Sequence, residues 1–304
     1  LFARFISSFH IFNERTHFIS NSDTEVLLKL WKLKGEKCLT ELDGMFAFAI
    51  FEENKLSLTV DPFGEKPLYY HQNNDGIYFA SEISSLLKMC SCELREDEDL
   101  HSEFLLFGYI NSPFTAYKDV FKIAPSKIVQ FKKENNFFHK TEKIYWDKPS
   151  RQFYNKKSRP VTAKQKKELK ELIIKSIESR LVSDVPIGLF LSSGIDSTLI
   201  ASIAKFELNK NIKCFTVKFD KNLVHDESES SKKIANYLGL EHEILLNKKE
   251  IPYSIENLNH LYSMDLNDNP TIFSYYKMSK LASQQVKVAL SGLGGDELFL
   301  GYNR

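Results

Sequence analysis

The hydrophobic and polar positions of the chain follow one pattern up to about residue 147 and another from about residue 167. In the first part, short apolar runs alternate with polar turns, which is typical of antiparallel strands joined in hairpins. One predicted hairpin has arms at residues 45–51 and 56–60, and a second has arms at 68–71 and 77–80. The first half is therefore predicted to be an antiparallel domain.

An amphipathic helix is predicted ahead of these hairpins. Ser22 followed by Glu25 has the spacing of an N-terminal capping box, and Gly35 supplies a C-terminal stop. Apolar residues between these signals recur at helical spacing, which predicts about three turns. A further short helix is predicted at residues 81–87.

In the second half, apolar strands alternate with helices. The apolar run 186–191 precedes a helical pattern at 197–208, and further strands are predicted at 214–219, 243–246 and 286–290. Strands that are buried on both faces and alternate with helices form a parallel sheet covered by helices. Because ligands bind such sheets at the carboxyl ends of the strands, we expect a binding site there.

A polar, lysine-rich stretch with two prolines separates the two halves at residues 147–167. Such a stretch is typical of a linker between domains. We therefore predict two domains, one over residues 1–150 and the other over residues 151–304.

The composition limits the classes of partner. The chain has 41 Lys and Arg against 40 Asp and Glu, a net charge of +1, which argues against a protein that binds nucleic acid through its phosphates. No run of about 18 apolar residues occurs, so we expect no transmembrane helix. Four scattered cysteines fit a reducing, cytoplasmic compartment.

A turn of small residues joins the predicted strand that ends at Leu191 to the next helix. Such a turn exposes backbone N–H groups at a helix N-terminus, where the helix dipole favours an anion such as a polyphosphate. The alternative is an ordinary strand-to-helix turn with a capping side chain; the lysine-bearing phosphate loop motif is absent. This first turn consists of Ser192, Ser193, Gly194, Ile195, Asp196 and Ser197.

A second turn, rich in glycine, follows the predicted strand that ends at Leu290. Its glycines allow a ligand to approach the backbone closely, and the adjacent carboxylates suit Mg²⁺ bridging phosphate oxygens. The alternative is a glycine-rich turn in which Asp296 caps a helix. This second turn consists of Ser291, Gly292, Leu293, Gly294, Gly295, Asp296 and Glu297.

Other polar groups are interpreted as structural. The adjacent His225, Asp226 and Glu227 are assigned to a solvated loop ahead of a helix rather than to a metal site, and His242 to a helix-to-strand connection.

A series of segments along almost the whole chain resembles the glutamine-dependent asparagine synthetases, in that family's order. The segments of the first half resemble a glutaminase domain of the N-terminal-nucleophile class. Those of the second half resemble the pyrophosphate-loop motif and a second nucleotide-contacting turn. The segments are SDTEV at 22–26, LDGMFAFAI at 42–50, DPFGEKPLYY at 61–70, FASEI at 79–83, SDVPIGLFLSSGIDS at 183–197 and LSGLGGDELFLGY at 290–302.

The resemblance implies a fold of α+β type followed by α/β: a layered, antiparallel glutaminase-like domain, then a parallel-sheet domain of the adenine-nucleotide alpha-hydrolase-like type. It implies that the first domain releases ammonia from glutamine through an N-terminal cysteine. The second domain is expected to adenylate aspartate with ATP and Mg²⁺, so that ammonia displaces AMP to give asparagine. Pyrophosphate is the other product. The implied setting is a cytoplasmic enzyme, a homodimer, without a nucleic-acid or membrane partner.

The resemblance also implies roles for individual residues. Asp23 is expected to hold the α-amino group of glutamine. Asp196 and Asp296 are expected near Mg²⁺, and Asp296 is the one catalytic candidate in the chain. The expected ATP contacts are Leu191, Ser192, Ser193, Gly194, Asp196, Ser197, Val217, Ser291 and Gly292.

Departures from the family's pattern limit these implications. No cysteine lies near Leu1, so we expect a piece of a longer protein, truncated at both ends, that does not hydrolyse glutamine by itself. Ser193 replaces a glycine that is usual in the pyrophosphate loop, and Leu293 replaces a glutamate tied to chemistry on the adenylate. A leucine cannot accept a proton. The acceptor is therefore open between aspartate and another carboxylate such as a sugar acid, and a non-catalytic, nucleotide-binding descendant is the other alternative.

Overall fold

The computed structural model of the chain describes residues 18–20, 22–90, 95–135, 137–147, 160–218, 226–246, 272–299 and 301. These residues form two compact units, one on each side of residues 148–159. The predicted domain boundary between 150 and 151 lies outside the described residues and stays a prediction. Within the ranges given above, no helix is long and apolar enough to cross a membrane.

The first unit contains the helix predicted at its start. This helix, α1 (Asp23–Lys34), begins after Ser22, whose hydroxyl accepts a hydrogen bond from the Thr24 N–H. It ends at Gly35, where φ is 57°, a backbone conformation that favours glycine. The start and end signals in the sequence are therefore confirmed.

The capping box predicted from Ser22 and Glu25 is formed differently from the expectation. Its second half needs the Glu25 carboxylate to accept from the backbone N–H of Ser22. The carboxylate instead accepts from the N–H groups of Ile19 and Ser20, at 2.9 and 2.7 Å, and pairs with Lys29 at 2.7 Å. Glu25 therefore ties the preceding segment to the helix.

Seven strands of the first unit form two antiparallel sheets. The strands are β1 (Ala47–Glu52), β2 (Lys55–Val60), β3 (Tyr69–Gln72), β4 (Ile77–Ala80), β5 (Val120–Lys122), β6 (Lys127–Glu134) and β7 (Phe137–Ile144). One sheet has the order β1-β2-β6-β7 and the other β4-β3-β5. Both predicted hairpins are confirmed, as the pairs β1–β2 and β3–β4.

Packing around these sheets buries several aromatic residues of the first unit. Trp31 and Phe48 meet edge to face in the cluster under α1, while Tyr70 and Phe131 pack in a second cluster.

The remaining helical elements of the first unit, among the described residues, are a 3₁₀ segment (Gly35–Glu41), α2 (Ile83–Met89) and α3 (Glu98–Phe107).

The second unit is a parallel sheet with helices. Its elements are α4 (Ala163–Arg180), β8 (Ile187–Phe190), α5 (Ile195–Ser202), a π-helical turn (Ile203–Glu207), β9 (Lys213–Lys218), α6 (Ser228–Leu238), β10 (His242–Leu246), α7 (Ile272–Ala282), β11 (Val288–Leu290) and α8 (Gly295–Phe299). The sheet order is β10-β9-β8-β11, and each of these pairs is parallel. The prediction of antiparallel strands followed by a parallel sheet is confirmed.

Strand β8 places the first turn beside the second. β8 and β11 are parallel neighbours, with Leu189 opposite Leu290. The carboxyl ends of parallel strands lie at the same edge of a sheet, so the turns that follow β8 and β11 are adjacent. Gly188 brings β8 close to Phe215, because a Cβ at this position would lie 2.7 Å from the aromatic ring.

Candidate functional site

The first turn is held by hydrogen bonds among its own residues. The buried Ser197 Oγ accepts from the Ser192 N–H at 3.1 Å and lies 2.8 Å from Ser192 Oγ. The Gly194 N–H in turn donates to Ser192 Oγ at 3.1 Å. The two hydroxyls that were expected to bind phosphate therefore also stabilise the turn, which gives it a fixed shape before a ligand arrives.

Helix α5 begins within this turn, at Ile195, with Gly194 at its N-cap. The first N–H groups of a helix have no intrahelical acceptor, and the helix dipole makes this end electropositive. Ile195 and Ser193 are exposed here, so the end of the helix is open to solvent. The turn and the helix together offer an anion several N–H donors.

The second turn packs on Asp196 and Ser197, near the N-terminus of α5. A Cβ at Gly292 would lie 3.0 Å from Asp196 Cβ and 3.0 Å from the Ser197 nitrogen. A Cβ at Gly295 would lie only 2.4 Å from the carboxyl carbon of Asp196. Both positions require glycine because Asp196 fills the space. The structure therefore brings together the two turns that the sequence singled out.

Two carboxylates on these turns are candidates for holding a metal ion. Asp196 and Asp296 are both half-buried, and among the described residues none donates a hydrogen bond to the Asp196 carboxylate. Glu297 is exposed, and its carboxylate accepts from the Gly294 N–H at 3.0 Å, which closes the second turn. Mg²⁺ is usually bound by one or two carboxylates together with phosphate oxygens and water.

Among the described residues, the structure groups no larger set of metal ligands. In the part of the chain that the structure describes, no group of three or more His, Cys, Asp or Glu is arranged to hold a metal. Leu293, which stands where the resemblance expects a glutamate, is 70% exposed.

Of the residues expected at the adenine, Leu191 directly follows β8 and Val217 lies on the neighbouring strand β9. The Leu191 N–H donates to the Phe215 carbonyl at 2.9 Å, and its carbonyl accepts from Thr216 Oγ1 at 2.5 Å. Thr216 Oγ1 also lies 2.8 Å from His242 Nε2. The Thr216 hydroxyl donates its one hydrogen to the Leu191 carbonyl. In the contact with His242, the Nε2–H of the imidazole is therefore the donor and Thr216 Oγ1 the acceptor. Burial lowers the pKa of His242, and the structural role expected for this residue agrees with these contacts.

Glu227 contacts the first turn, although the sequence placed it in a solvated loop. The Ser193 N–H donates to Glu227 Oε2 at 3.2 Å. Its neighbour Asp226 has a different role, since it accepts from the Ser228 N–H at 3.0 Å at the start of α6. His225 lies outside the described residues. The one sequence signal for this contact was a carboxylate just ahead of a helix. That signal does not indicate from which N–H group the carboxylate accepts a hydrogen bond.

Asp23, the residue expected to hold glutamine, belongs to the first unit. It lies in the first turn of α1, half-buried, where the helix dipole favours a carboxylate. The hydroxyls of Ser22 and Thr24 lie 3.5 and 3.4 Å from its Oδ1. Residues 1–17 lie outside the described part of the chain.

Comparisons with known proteins match each half to a family. The model described as a glutamine amidotransferase domain matches residues 9–146, and that described as asparagine synthase matches residues 168–304. Asparagine synthetase [glutamine-hydrolyzing] 1 of Bacillus subtilis is 34% identical over 94% of this chain and 44% of its own length. A putative asparagine synthetase [glutamine-hydrolyzing] 2 of Methanocaldococcus jannaschii is 31% identical over 93% of this chain and 54% of its own length.

A more distant relative has another name. Amidase chry2 of Gibberella zeae is 25% identical over 94% of this chain and 44% of its own length. The chain spans about half the length of the curated relatives it matches.

Proposed function

The chain belongs to the family of glutamine-dependent asparagine synthetases, and we propose that the whole protein makes asparagine from aspartate with ammonia taken from glutamine. ATP is cleaved to AMP and pyrophosphate in this reaction. The observation that carries the proposal is the meeting of the two turns at Asp196, within the part of the chain that matches asparagine synthase. The proposed class is a carbon–nitrogen ligase that takes its amide nitrogen from glutamine.

Activation of the acceptor explains why such an enzyme needs ATP. A free carboxylate is a poor electrophile, whereas an acyl-adenylate carries a good leaving group. The acceptor carboxylate attacks the α-phosphorus of ATP, and the bond to pyrophosphate breaks. Ammonia then attacks the acyl carbon, AMP leaves, and the excess proton passes to solvent.

The first turn is proposed to hold the departing pyrophosphate. N–H groups at the start of α5 would stabilise the charge that builds on the leaving group, and a turn fixed in advance needs little reorganisation. Ser193, Ser291 and Gly292 are proposed as further contacts of the phosphates, and Leu191 and Val217 as contacts of the adenine.

Asp196 and Asp296 are proposed to hold Mg²⁺. Their carboxylates suit this ion, and the glycines of the second turn allow Asp196 to pack closely against that turn. When bound, the ion would neutralise charge on the phosphate oxygens. Asp296 is the catalytic candidate because it would hold this ion.

Several finer assignments complete the proposal. The first domain, residues 1–150, would be a layered N-terminal-nucleophile glutaminase in which Asp23 holds the α-amino group of glutamine. The second, residues 151–304, would be of the adenine-nucleotide alpha-hydrolase-like type. A cytoplasmic homodimer is the proposed state of the whole protein.

The proposal is tested with the full-length protein, ATP, Mg²⁺ and either glutamine or ammonia. We expect AMP and pyrophosphate to appear only when aspartate is present, with one asparagine formed for each AMP. Release of ADP and phosphate instead would contradict the proposed adenylation.

An acceptor screen addresses the departure at Leu293. If aspartate fails and another carboxylate succeeds, the acceptor is reassigned while the ligase chemistry stays. If the protein binds ATP but turns over no acceptor, the non-catalytic alternative is favoured. Comparing ammonia with glutamine as nitrogen donor tests the two domains separately.

A further inference from the structure

We propose that the Glu227 carboxylate acts as a built-in competing anion on the first turn and thereby sets the turn's selectivity for a polyphosphate over simpler anions. The contact that motivates this is the 3.2 Å hydrogen bond from the Ser193 N–H to Glu227 Oε2. The inference rests on the proposed function, because it assumes that the turn receives the pyrophosphate part of ATP.

The Ser193 N–H is the donor through which the first turn reaches another element. The adjacent N–H groups of Ser192 and Gly194 donate to hydroxyls within the turn. Ser193 and Glu227 are both exposed, so an incoming anion can reach this N–H once the carboxylate has moved away. Displacing Glu227 requires no change in the core.

Helix α6 holds Glu227 in position without using its side chain as a cap. The capping contact is made by Asp226, whose Oδ1 accepts from the Ser228 N–H, and Glu227 makes no side-chain cap bond. Ser228 and Ser231 are fully buried, which anchors the first turn of α6 against the unit. The carboxylate of Glu227 is therefore kept beside the turn and remains available to it.

A carboxylate and a phosphate compete for the same donor. Both are anionic acceptors of backbone N–H groups, and both favour the electropositive end of a helix. They also repel each other at short distance. A single small anion can use the Ser193 N–H only by displacing Glu227, whereas a polyphosphate also binds the other donors of the turn and depends less on this one.

The experiment is a calorimetric titration of the full-length protein with pyrophosphate and with inorganic phosphate, each in the presence of Mg²⁺. Glu227→Gln keeps an acceptor of the same shape but removes the charge. We expect it to bind pyrophosphate about three- to tenfold more tightly than the wild type at low salt, as expected for one exposed charge within a few ångströms. The relative gain for inorganic phosphate should be larger.

Glu229→Gln is the matched control. Glu229 is an exposed carboxylate at the start of α6, two residues after Glu227, but its carboxylate lies 3.8 Å from Lys218 Nζ and makes no described contact with the Ser192–Ser197 turn. Its variant should change the affinity by less than about twofold. The advantage of Glu227→Gln should also shrink near 1 M salt, where the screening length falls to about 3 Å.

The outcomes separate the inference from the proposed function. If Glu227→Gln binds pyrophosphate no better than Glu229→Gln, or more weakly than the wild type, the competing-anion role is wrong while the nucleotide site stands. If neither the wild type nor Glu227→Gln binds pyrophosphate or MgATP, the proposed function fails and the inference fails with it.

Discussion

Two aspartates, one in each unit, lie in the segment that comes after a strand but have opposite surroundings. Asp61 follows β2 in the first unit and is fully buried. Its carboxylate accepts four backbone N–H groups at 3.0–3.2 Å, those of Phe46, Phe63, Glu65 and Lys66. Asp196 follows β8 in the second unit, is half-buried, and lies against the glycines of the second turn.

The comparison shows how surroundings decide what a carboxylate does. The oxygens of Asp61 are saturated by the backbone, so this residue fixes the turn after β2 and has little capacity left for a ligand. Asp196 has no such set of donors among the described residues, and it packs against the glycines of the second turn. We therefore expect the loss of Asp61 to damage stability and the loss of Asp196 to damage binding.

The largest expected effect is that of Asp61→Asn. The amide turns one acceptor oxygen into a donor that faces backbone N–H groups in a buried site, so the free energy of unfolding should fall by about 3 kcal/mol. Urea unfolding measures this. Asp75→Asn, in an exposed hairpin turn, is the control and should cost less than about 0.5 kcal/mol. Equal losses in the free energy of unfolding for Asp61→Asn and Asp75→Asn would contradict the stabilising role of the buried Asp61 carboxylate.

Gly295→Ala should come next in size. The added methyl group would overlap the Asp196 carboxylate and push it out of place, at a cost typical of overpacking, about 2 kcal/mol. We expect MgATP affinity in calorimetry to fall roughly thirtyfold. Gly76→Ala has open space around the new methyl group and should leave binding unchanged. Unchanged binding in Gly295→Ala would place the nucleotide elsewhere.

Asp196→Asn should have a smaller effect, confined to binding. The amide has the shape of the carboxylate but lacks its charge, so MgATP affinity should fall about tenfold through weaker attraction of the metal ion. The free energy of unfolding should change by less than about 0.5 kcal/mol. A loss of stability as large as that of Asp61→Asn would show that Asp196 is structural too.

The smallest effect concerns Glu25, whose carboxylate, like that of Asp61, accepts hydrogen bonds from backbone N–H groups, but near the surface. The hydrogen bond from Lys29, and then that from the Ile19 N–H, lowers its pKa from 4.5 to about 2. Its stabilising contribution is therefore present above pH 4.5 and is lost as the pH falls toward 2.

An NMR titration of the Glu25 side-chain carboxyl measures this pKa directly. In Lys29→Met the midpoint should move back toward 4.5, since Lys29 is the largest cause of the shift. A wild-type midpoint near 4.5 would mean that these contacts do not persist in solution.

The sequence predicted those parts of the fold that depend on local periodicity. Both hairpins, α1 and the alternation of strands and helices in the second half followed from the spacing of apolar residues. The pairing of β2 with β6 was not predicted, because periodicity does not indicate which distant strands meet. Strands β5 to β7 and helix α3 were not assigned from the sequence.

The candidate site shows the same division. Small residues after apolar runs indicated both turns, and the parallel pairing of β8 with β11 then placed them together. The contact between Ser193 and Glu227 could not be predicted, since the two residues are 34 positions apart. It joins an exposed backbone N–H to an exposed side chain, and neither follows a pattern in the sequence. The second half of the capping box was misassigned because the Glu25 carboxylate found other N–H groups closer than that of Ser22.

The adjacency of β8 and β11 has a consequence for synthesis on the ribosome. The first and second turns are separated by about one hundred residues of chain, and translation adds roughly 5–20 residues per second. The first turn therefore emerges about 5 to 20 s before the second. Glu227 is made in that interval, so a nascent chain can form its contact with Ser193 before Asp196 meets the glycines. A nucleotide bound across both turns, as proposed, would stabilise a growing chain only once β11 has joined β8.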